Sequence, residues 1–221
     1  MKMCMIGTGY VGLVSGTCFA DLGNKVYCVD KAQNKINKLK NAISPIYEPG
    51  LENLVLENTK RGTLKFTTDI TDVLNIVDIV FIAVGTPMGE DGSADLQHVL
   101  KVADTIGENL KHHTIVVNKS TVPLRTAKKI QNSLGRNGAH VVSNPEFLSE
   151  GNALRDFFEP SRIIIGANSK EHSERVAELF SKVDAPILIS SWESAELIKH
   201  TANAFLAMKL TFINEIATLC E

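Results

Sequence analysis

Two pairs of polar residues have a spacing that suits catalysis. Glu146 and Glu150 stand four apart in Asn144-Pro145-Glu146-Phe147-Leu148-Ser149-Glu150-Gly151. On a helical turn that spacing puts both carboxylates on one face, where they could move protons to or from a substrate or a water. The structural alternative is a solvated acidic face. Lys199 and Asn203 are also four apart, inside a long apolar segment. An amine and an amide on a buried helix face need partners. They could make interfacial hydrogen bonds, or they could aim a cation and a donor at developing negative charge.

A third constellation would bind rather than react. Gly7-Thr8-Gly9-Tyr10-Val11-Gly12 follows a short apolar run and opens a helical pattern from Tyr10 to Leu22. Lys25 to Val29 reads as a second strand, and Asp30 follows it. In strand–turn–helix context, Gly7 permits the tight turn, Gly9 lets a pyrophosphate approach the backbone, and Gly12 lets helix and strand pack closely. The helix start presents free N–H groups and a positive dipole end. Asp30 would accept from a ribose 2′-hydroxyl and repel a 2′-phosphate, which favours NAD over NADP, although Lys31 beside it works the other way. The structural alternative is a tight turn with no ligand.

These residues need a scaffold, and the apolar pattern supplies one. Strands are predicted over Met3–Ile6, Lys25–Val29, Leu64–Thr67, Ile79–Ala83, Thr114–Asn118, His140–Ser143, Arg162–Gly166 and Ile187–Ser190. Helices are predicted over Tyr10–Leu22, Lys31–Asn41, Leu51–Lys60, Leu96–Leu110, Thr126–Leu134, Lys170–Val183 and Ser194–Cys220. The run from Val77 to Val84, interrupted only by Asp78, is apolar on consecutive positions from Ile79, as in a parallel sheet buried on both faces. The expected fold is α/β: a Rossmann-like, doubly wound, mainly parallel sheet with helices on both faces, ending in a long helix.

Ligands of such sheets collect beyond the carboxyl ends of the strands. Three predicted strand ends run into polar loops: Gly85-Thr86-Pro87, Lys119-Ser120-Thr121-Val122-Pro123, and the loop carrying Glu146 and Glu150. Each also has a structural reading as a turn or a helix start.

The last segment is apolar nearly all round and has no proline or glycine after Ser194. Such a helix buries itself in something larger than one domain's flank. The sequence stops inside it without a cap, which reads as a truncated protein.

The bulk properties exclude several classes. A chain of 221 residues with a formal net charge of −2 and no basic block gives no reason to expect a nucleic-acid partner or a membrane surface. There is no apolar run of membrane-spanning length, and no signal peptide is expected, because the first apolar stretch is short and breaks at Gly7. Cys4, Cys18, Cys28 and Cys220 form no Cys-x-x-Cys pair, so free thiols in a reducing cytoplasm are expected. The six histidines (98, 112, 113, 140, 172 and 200) lack metal-ligand spacing, and no metal is expected.

Six segments occur in one order: the glycine turn, Tyr47-Glu48-Pro49-Gly50-Leu51, Val84-Gly85-Thr86-Pro87, Ser120-Thr121-Val122-Pro123, Asn144-Pro145-Glu146-Phe147-Leu148 and Ala202-Asn203-Ala204-Phe205-Leu206. Together they resemble the UDP-glucose/GDP-mannose dehydrogenase family over the whole chain. Three positions depart from the family pattern: Leu124-Arg125 replaces a common Val-Gly, Ser149 a usual Arg or Ala, and Ser161 a common Asp.

The resemblance implies a four-electron oxidation of a sugar's primary alcohol to a carboxylate, with two NAD⁺ consumed. The route passes through an aldehyde and a cysteine-bound thioester that water hydrolyses. It implies Glu146 as the base for that water, Thr121 holding the water or the nearby carboxylate, and Lys199 with Asn203 stabilising an oxyanion. Phe147, Leu148, Ser149 and Glu150 would line the nucleotide-sugar path together with Lys199 and Asn203. Gly7, Gly9, Tyr10, Val11, Gly12, Asp30, Lys35, Thr86, Thr121 and Glu150 would contact NAD. The implied sugar nucleotide is UDP-glucose, against GDP-mannose or a UDP-N-acetylated aminosugar. A stand-alone NAD-binding sensor or scaffold is the rival from another class. Residues 1–193 would form the NAD-binding domain and 194–221 the start of a central helix that makes a homodimer. The catalytic cysteine and the nucleotide-sugar domain are absent from the sequence, so the fragment is expected to be inactive alone.

Overall fold

The computed structural model describes residues 1–110, 113–135 and 138–221; of the histidines, His112 lies outside that range. Eight strands form one sheet: β1 (Lys2–Ile6), β2 (Lys25–Val29), β3 (Leu64–Thr67), β4 (Ile79–Ile82), β5 (Thr114–Asn118), β6 (Ala139–Ser143), β7 (Ile163–Ala167) and β8 (Ile187–Ser190). Their order is β3-β2-β1-β4-β5-β6-β7-β8. The chain winds outward from β1 in one direction and from β4 in the other, so a crevice opens between their carboxyl ends. All neighbours pair parallel except β6 and β7, where Ser143 faces Gly166 in antiparallel register.

Nine helices flank this sheet among the described residues: α1 (Tyr10–Asp21), α2 (Gln33–Lys40), α3 (Leu51–Arg61), α4 (Thr71–Leu74), α5 (Gln97–Asn109), α6 (Thr126–Leu134), α7 (Ala153–Phe158), α8 (Lys170–Ala177) and α9 (Trp192–Cys220). They divide the core into two layers. One gathers around Phe19, whose ring lies 5.0–5.3 Å from those of Phe81, Phe157 and Phe180. The other holds Cys4, Val80, Ile82, Val116 and Val141 on the opposite face. This explains the consecutive apolar positions, since β4 and β5 are buried at every residue.

Several expectations are corrected in detail. The helix predicted over Lys170–Val183 ends at Ala177, and a 3-10 turn follows over Glu178–Phe180. The short helices α4 and α7 carry too few residues for a readable period. The last helix starts at Trp192, where Ser191 caps it by accepting from the Ser194 amide at 3.2 Å. In this chain α9 is buried only over Trp192, Ala195, Glu196 and Lys199. Beyond His200 its apolar residues, from Phe205 to Leu219, face solvent. The cysteines do follow expectation: Cys4, Cys18 and Cys28 are buried and free, and Cys220 is exposed.

Candidate functional site

The carboxyl end of β1 turns sharply at Gly7, whose φ is +100°. A Cβ there would lie 2.5 Å from the Ala83 carbonyl oxygen, and one on Gly12 would lie 1.9 Å from the Gly7 oxygen. Both glycines are therefore required by packing. Gly9 is different: an added Cβ would meet nothing within 4 Å. Gly9 is also the N-cap of α1 and caps it with no side chain. The first turn of α1 thus opens onto free space at its positive end, as a phosphate cradle requires.

Asp30 closes the cradle at the end of β2. Its Oδ2 accepts from the Thr8 amide at 3.0 Å, the Thr8 hydroxyl at 2.7 Å and the Lys35 ammonium at 3.0 Å, and its Oδ1 accepts from the Ala32 amide at 3.0 Å. Burial by itself would raise this carboxyl, but these donors outweigh burial and hold it down at about 2. Asp30 is therefore a fixed anion at neutral pH. Lys31, its neighbour in sequence, is exposed, whereas Lys35 is the cation that pairs with it. Across the crevice the Thr86 hydroxyl donates to the Thr121 carbonyl at 2.8 Å, which ties the loop after β4 to the loop after β5.

A pocket of about 470 Å³ lies further along the same sheet edge, over the ends of β5 and β6. Lys119, Asn144, Glu146, Phe147, Leu148, Ser149 and Arg162 are among its lining residues. Glu146 Oε1 lies 3.1 Å from the Lys199 ammonium, with both side chains about nine-tenths buried. Glu146 Oε2 accepts from the Leu148 amide at 2.7 Å. The Phe147 ring lies under two cations, with Arg162 at 4.9 Å and Lys199 at 5.2 Å from its centroid.

The long helix α9 is anchored so that Lys199 reaches this point. Trp192 Nε1 donates to the Val141 carbonyl at 2.9 Å. The Glu196 carboxylate accepts from the Arg125 and Ala127 amides at 2.6 and 2.7 Å, capping α6. His200 Nε2 meets the Val122 carbonyl. Gly166 in β7 completes the fit, because a Cβ there would lie 2.6 Å from Ala195 Cβ.

The structure brings Glu146 and Lys199 together but does not add the other member of either sequence pair. Residues 144–149 are irregular, not a helical turn, because the Asn-Pro step and the Glu146–Leu148 bond hold the loop extended. The predicted common face for Glu146 and Glu150 is thus corrected. Glu150 is exposed, and its charge acts on Tyr10 at the cradle side. Asn203 lies one turn beyond Lys199 and is exposed.

Sequence reasoning gave no role to Glu48, Lys119, Asn144, Arg162 or Glu196. Glu48 is buried, accepts from the Tyr10 hydroxyl, and accepts from the Gly151 and Ala153 amides at 2.8 Å each. It joins the cradle helix α1 to the start of α7. Burial opposes its charge, but these donors lower its carboxyl below the ordinary value. One legible signal existed for Lys119: a lysine placed directly after a fully buried strand.

Residues 1–184 match the NAD binding domain of the UDP-glucose/GDP-mannose dehydrogenase family, and residues 193–221 match its central domain. The whole chain is 51% identical to UDP-glucose 6-dehydrogenase TuaD of Bacillus subtilis and covers 49% of that protein. It is 44% identical to UDP-glucose 6-dehydrogenase of Pseudomonas aeruginosa, of which it covers 51%. A UDP-glucose dehydrogenase structure from Pyrobaculum islandicum superposes with a TM-score of 0.94 at 38% identity, over 97% of this chain and 52% of that one. GDP-mannose dehydrogenase from Pseudomonas aeruginosa gives 0.92 at 35% identity, again over 97% and 52%. The chain thus spans about half the length of the curated relatives it matches. The glycine turn, the Asp30 cradle and the matched residues agree: this chain belongs to the UDP-glucose/GDP-mannose dehydrogenase family and carries its NAD-binding domain.

Proposed function

We propose that this chain is the NAD-binding part of a UDP-glucose 6-dehydrogenase, which oxidises the sugar's primary alcohol to a carboxylate. The observation that carries the reading is a juxtaposition. An open phosphate cradle at Gly9 and Asp30 shares one sheet edge with the buried Glu146–Lys199 pair. When bound, NAD⁺ supplies the hydride acceptor. The turn Gly7–Gly12 and the start of α1, with Tyr10 and Val11, would hold the phosphates; the Asp30 carboxylate, ordered by Lys35, would receive the ribose hydroxyls. Thr86 and Thr121 would be further contacts, with Glu150 near the nicotinamide.

Glu146 takes a proton from the hydrolytic water, which Thr121 helps to hold. Its fixed bond to the Leu148 amide leaves the other oxygen paired with Lys199 and directed into the site. Lys199 and Asn203, one turn apart on α9, donate to the oxyanion. Phe147, Leu148 and Ser149 line the sugar-nucleotide path.

The nucleophile is a thiol that none of the four cysteines here is placed to supply. Burial pushes the Cys4, Cys18 and Cys28 thiols far up, and Cys220 lies nearly six turns along α9 from Lys199. Residues 1–193 form the cofactor domain, and 194–221 begin a helix that pairs two copies through its exposed apolar side, from Phe205 to Leu219. Three buried free thiols suit a reducing cytoplasm, and among the described residues no helix is long and apolar enough to cross a membrane.

Titration calorimetry tests the reading. NAD⁺ should bind at least about tenfold tighter than NADP⁺; equal affinities refute the Asp30 assignment. The chain alone should form no NADH from UDP-glucose, and NADH formation would refute the external thiol. Sedimentation should give a dimer, and a monomer at all concentrations would remove the helix pairing.

A further inference from the structure

Lys119 is a buried cation for which the chemistry above has no use. It follows β5 at the edge where the pocket opens, is 4% exposed, and lines the pocket with Glu146. Its ammonium donates to Asn144 Oδ1 at 3.2 Å, and Asn144 is itself fixed by donating to the Ile164 carbonyl at 2.8 Å. Among the described residues no carboxylate lies within 4.0 Å of it. Burying an unpaired ammonium is expensive, and an apolar side chain could have filled the place.

Three titratable groups act on it, each from a different element. Glu146 comes from the loop after β6, Lys199 from α9 and Cys18 from α1. Arg155, Asp156, Glu159 and Arg162 line the same pocket. Cys18 remains a neutral thiol, since burial pushes it far up. The buried set is therefore one carboxylate that pairs with the Lys199 ammonium and interacts electrostatically with the Lys119 ammonium in the same pocket. We propose that Lys119 is a positioning residue for this site: with Lys199 it brackets the Glu146 carboxylate, and its charge state sets where that carboxylate points.

The proposal rests on the reading of Glu146 as the base and deepens it. Burial lowers the Lys119 ammonium to about 8, Glu146 opposes that fall, and Lys199 adds to it. The bracket is thus complete at neutral pH and loses one arm in mild alkali. Lysine and arginine differ here in a useful way, because a guanidinium keeps its charge throughout that range.

The Leu148 amide is a built-in reporter, since it donates to Glu146 Oε2. Its resonance can be followed by ¹H–¹⁵N NMR on this chain from about pH 6.5 to about 9.5, alongside the side-chain signal of ¹³C-labelled Lys119. The two should move together through one transition near 8. In Lys119→Met the Leu148 amide should sit at its high-pH position throughout, and in Lys119→Arg at its low-pH position. A Leu148 amide that stays put while Lys119 titrates overturns the proposal, as does an arginine variant that behaves like the methionine one. Should Lys119→Met fail to fold, the wild-type titration and the arginine variant decide. No cofactor is needed, so absent NAD⁺ binding would sink the functional reading alone, and a flat reporter would sink only this one.

Discussion

Asp30→Asn should weaken the cofactor-free fold, and the loss should fade in acid. The carboxyl falls from 3.8 to about 2 on folding. At about 1.36 kcal/mol per pH unit, this is worth ~2.4 kcal/mol of stability at neutral pH. The Lys35 side chain is 31% exposed, so solvent screens its share, and about 1–2 kcal/mol is the working figure. The sign follows from the depressed value: the contribution is complete above the unfolded-state 3.8 and is lost as pH falls through the folded-state value of about 2. About half of it is gone at pH 3. Asparagine cannot replace both carboxylate oxygens: whichever way its amide turns, the NH2 faces a donor, either the Ala32 N–H or the Thr8 N–H and the Lys35 ammonium. Urea titrations of both proteins at a series of pH values give the test. The wild-type advantage should be about 1–2 kcal/mol at neutral pH and should shrink by roughly half at pH 3. An advantage independent of pH would refute the assignment of Asp30 as a stabilised anion.

Gly9→Val should fold as well as wild type, within about 0.5 kcal/mol, because its backbone (φ −72°, ψ −169°) suits valine and the space is open. Its NAD⁺ affinity should nevertheless fall at least about tenfold, and calorimetry showing wild-type affinity would remove Gly9 from the cradle. Arg125 holds φ at +69° without being glycine, so Arg125→Gly should stabilise by about 0.5–1 kcal/mol, visible as a melting point higher by ~1–4 °C; a lower melting point counts against strain there. Glu48→Gln would set an amide group against N–H donors from Gly151 and Ala153. It should cost about 1–3 kcal/mol in denaturant titrations, and a neutral result would mean that the α1–α7 link carries little energy.

Periodicity and glycine spacing reveal most of the scaffold, since a doubly buried strand such as β4 is apolar at every position. They also reveal the cradle, because Gly7, Gly9 and Asp30 act through backbone geometry local in sequence. The pocket is harder to read. Lys199 meets Glu146 only because Trp192, Glu196 and His200 dock α9 against β6 and the loop after β5. None of these contacts has a short-range signature. The helical-turn reading of Glu146 and Glu150 failed because a carboxylate bonded its own loop backbone, a competition that spacing cannot express. Arg125 shows a signal that went unused: it stands where glycine is common in the family, and its backbone proves left-handed.

The antiparallel register of β7 decides which way the chain leaves the sheet. Reversal carries the segment before β7 to the edge where the other strands end, which is how Arg162 comes to lie over Phe147. β8 runs parallel to β7 and ends at Ser190, level with Gly166 and so with Ser143 at the end of β6, and α9 begins there beside Gly166. By Lys199 the helix has reached Glu146 in the loop after β6, and its remaining 21 residues extend about 30 Å further. The reversal thus works as a signpost: α9 leaves the sheet from the mouth of the cleft, not from its back. A single flipped strand makes one helix both the anchor of Lys199 and a mast that carries exposed apolar residues away from the site.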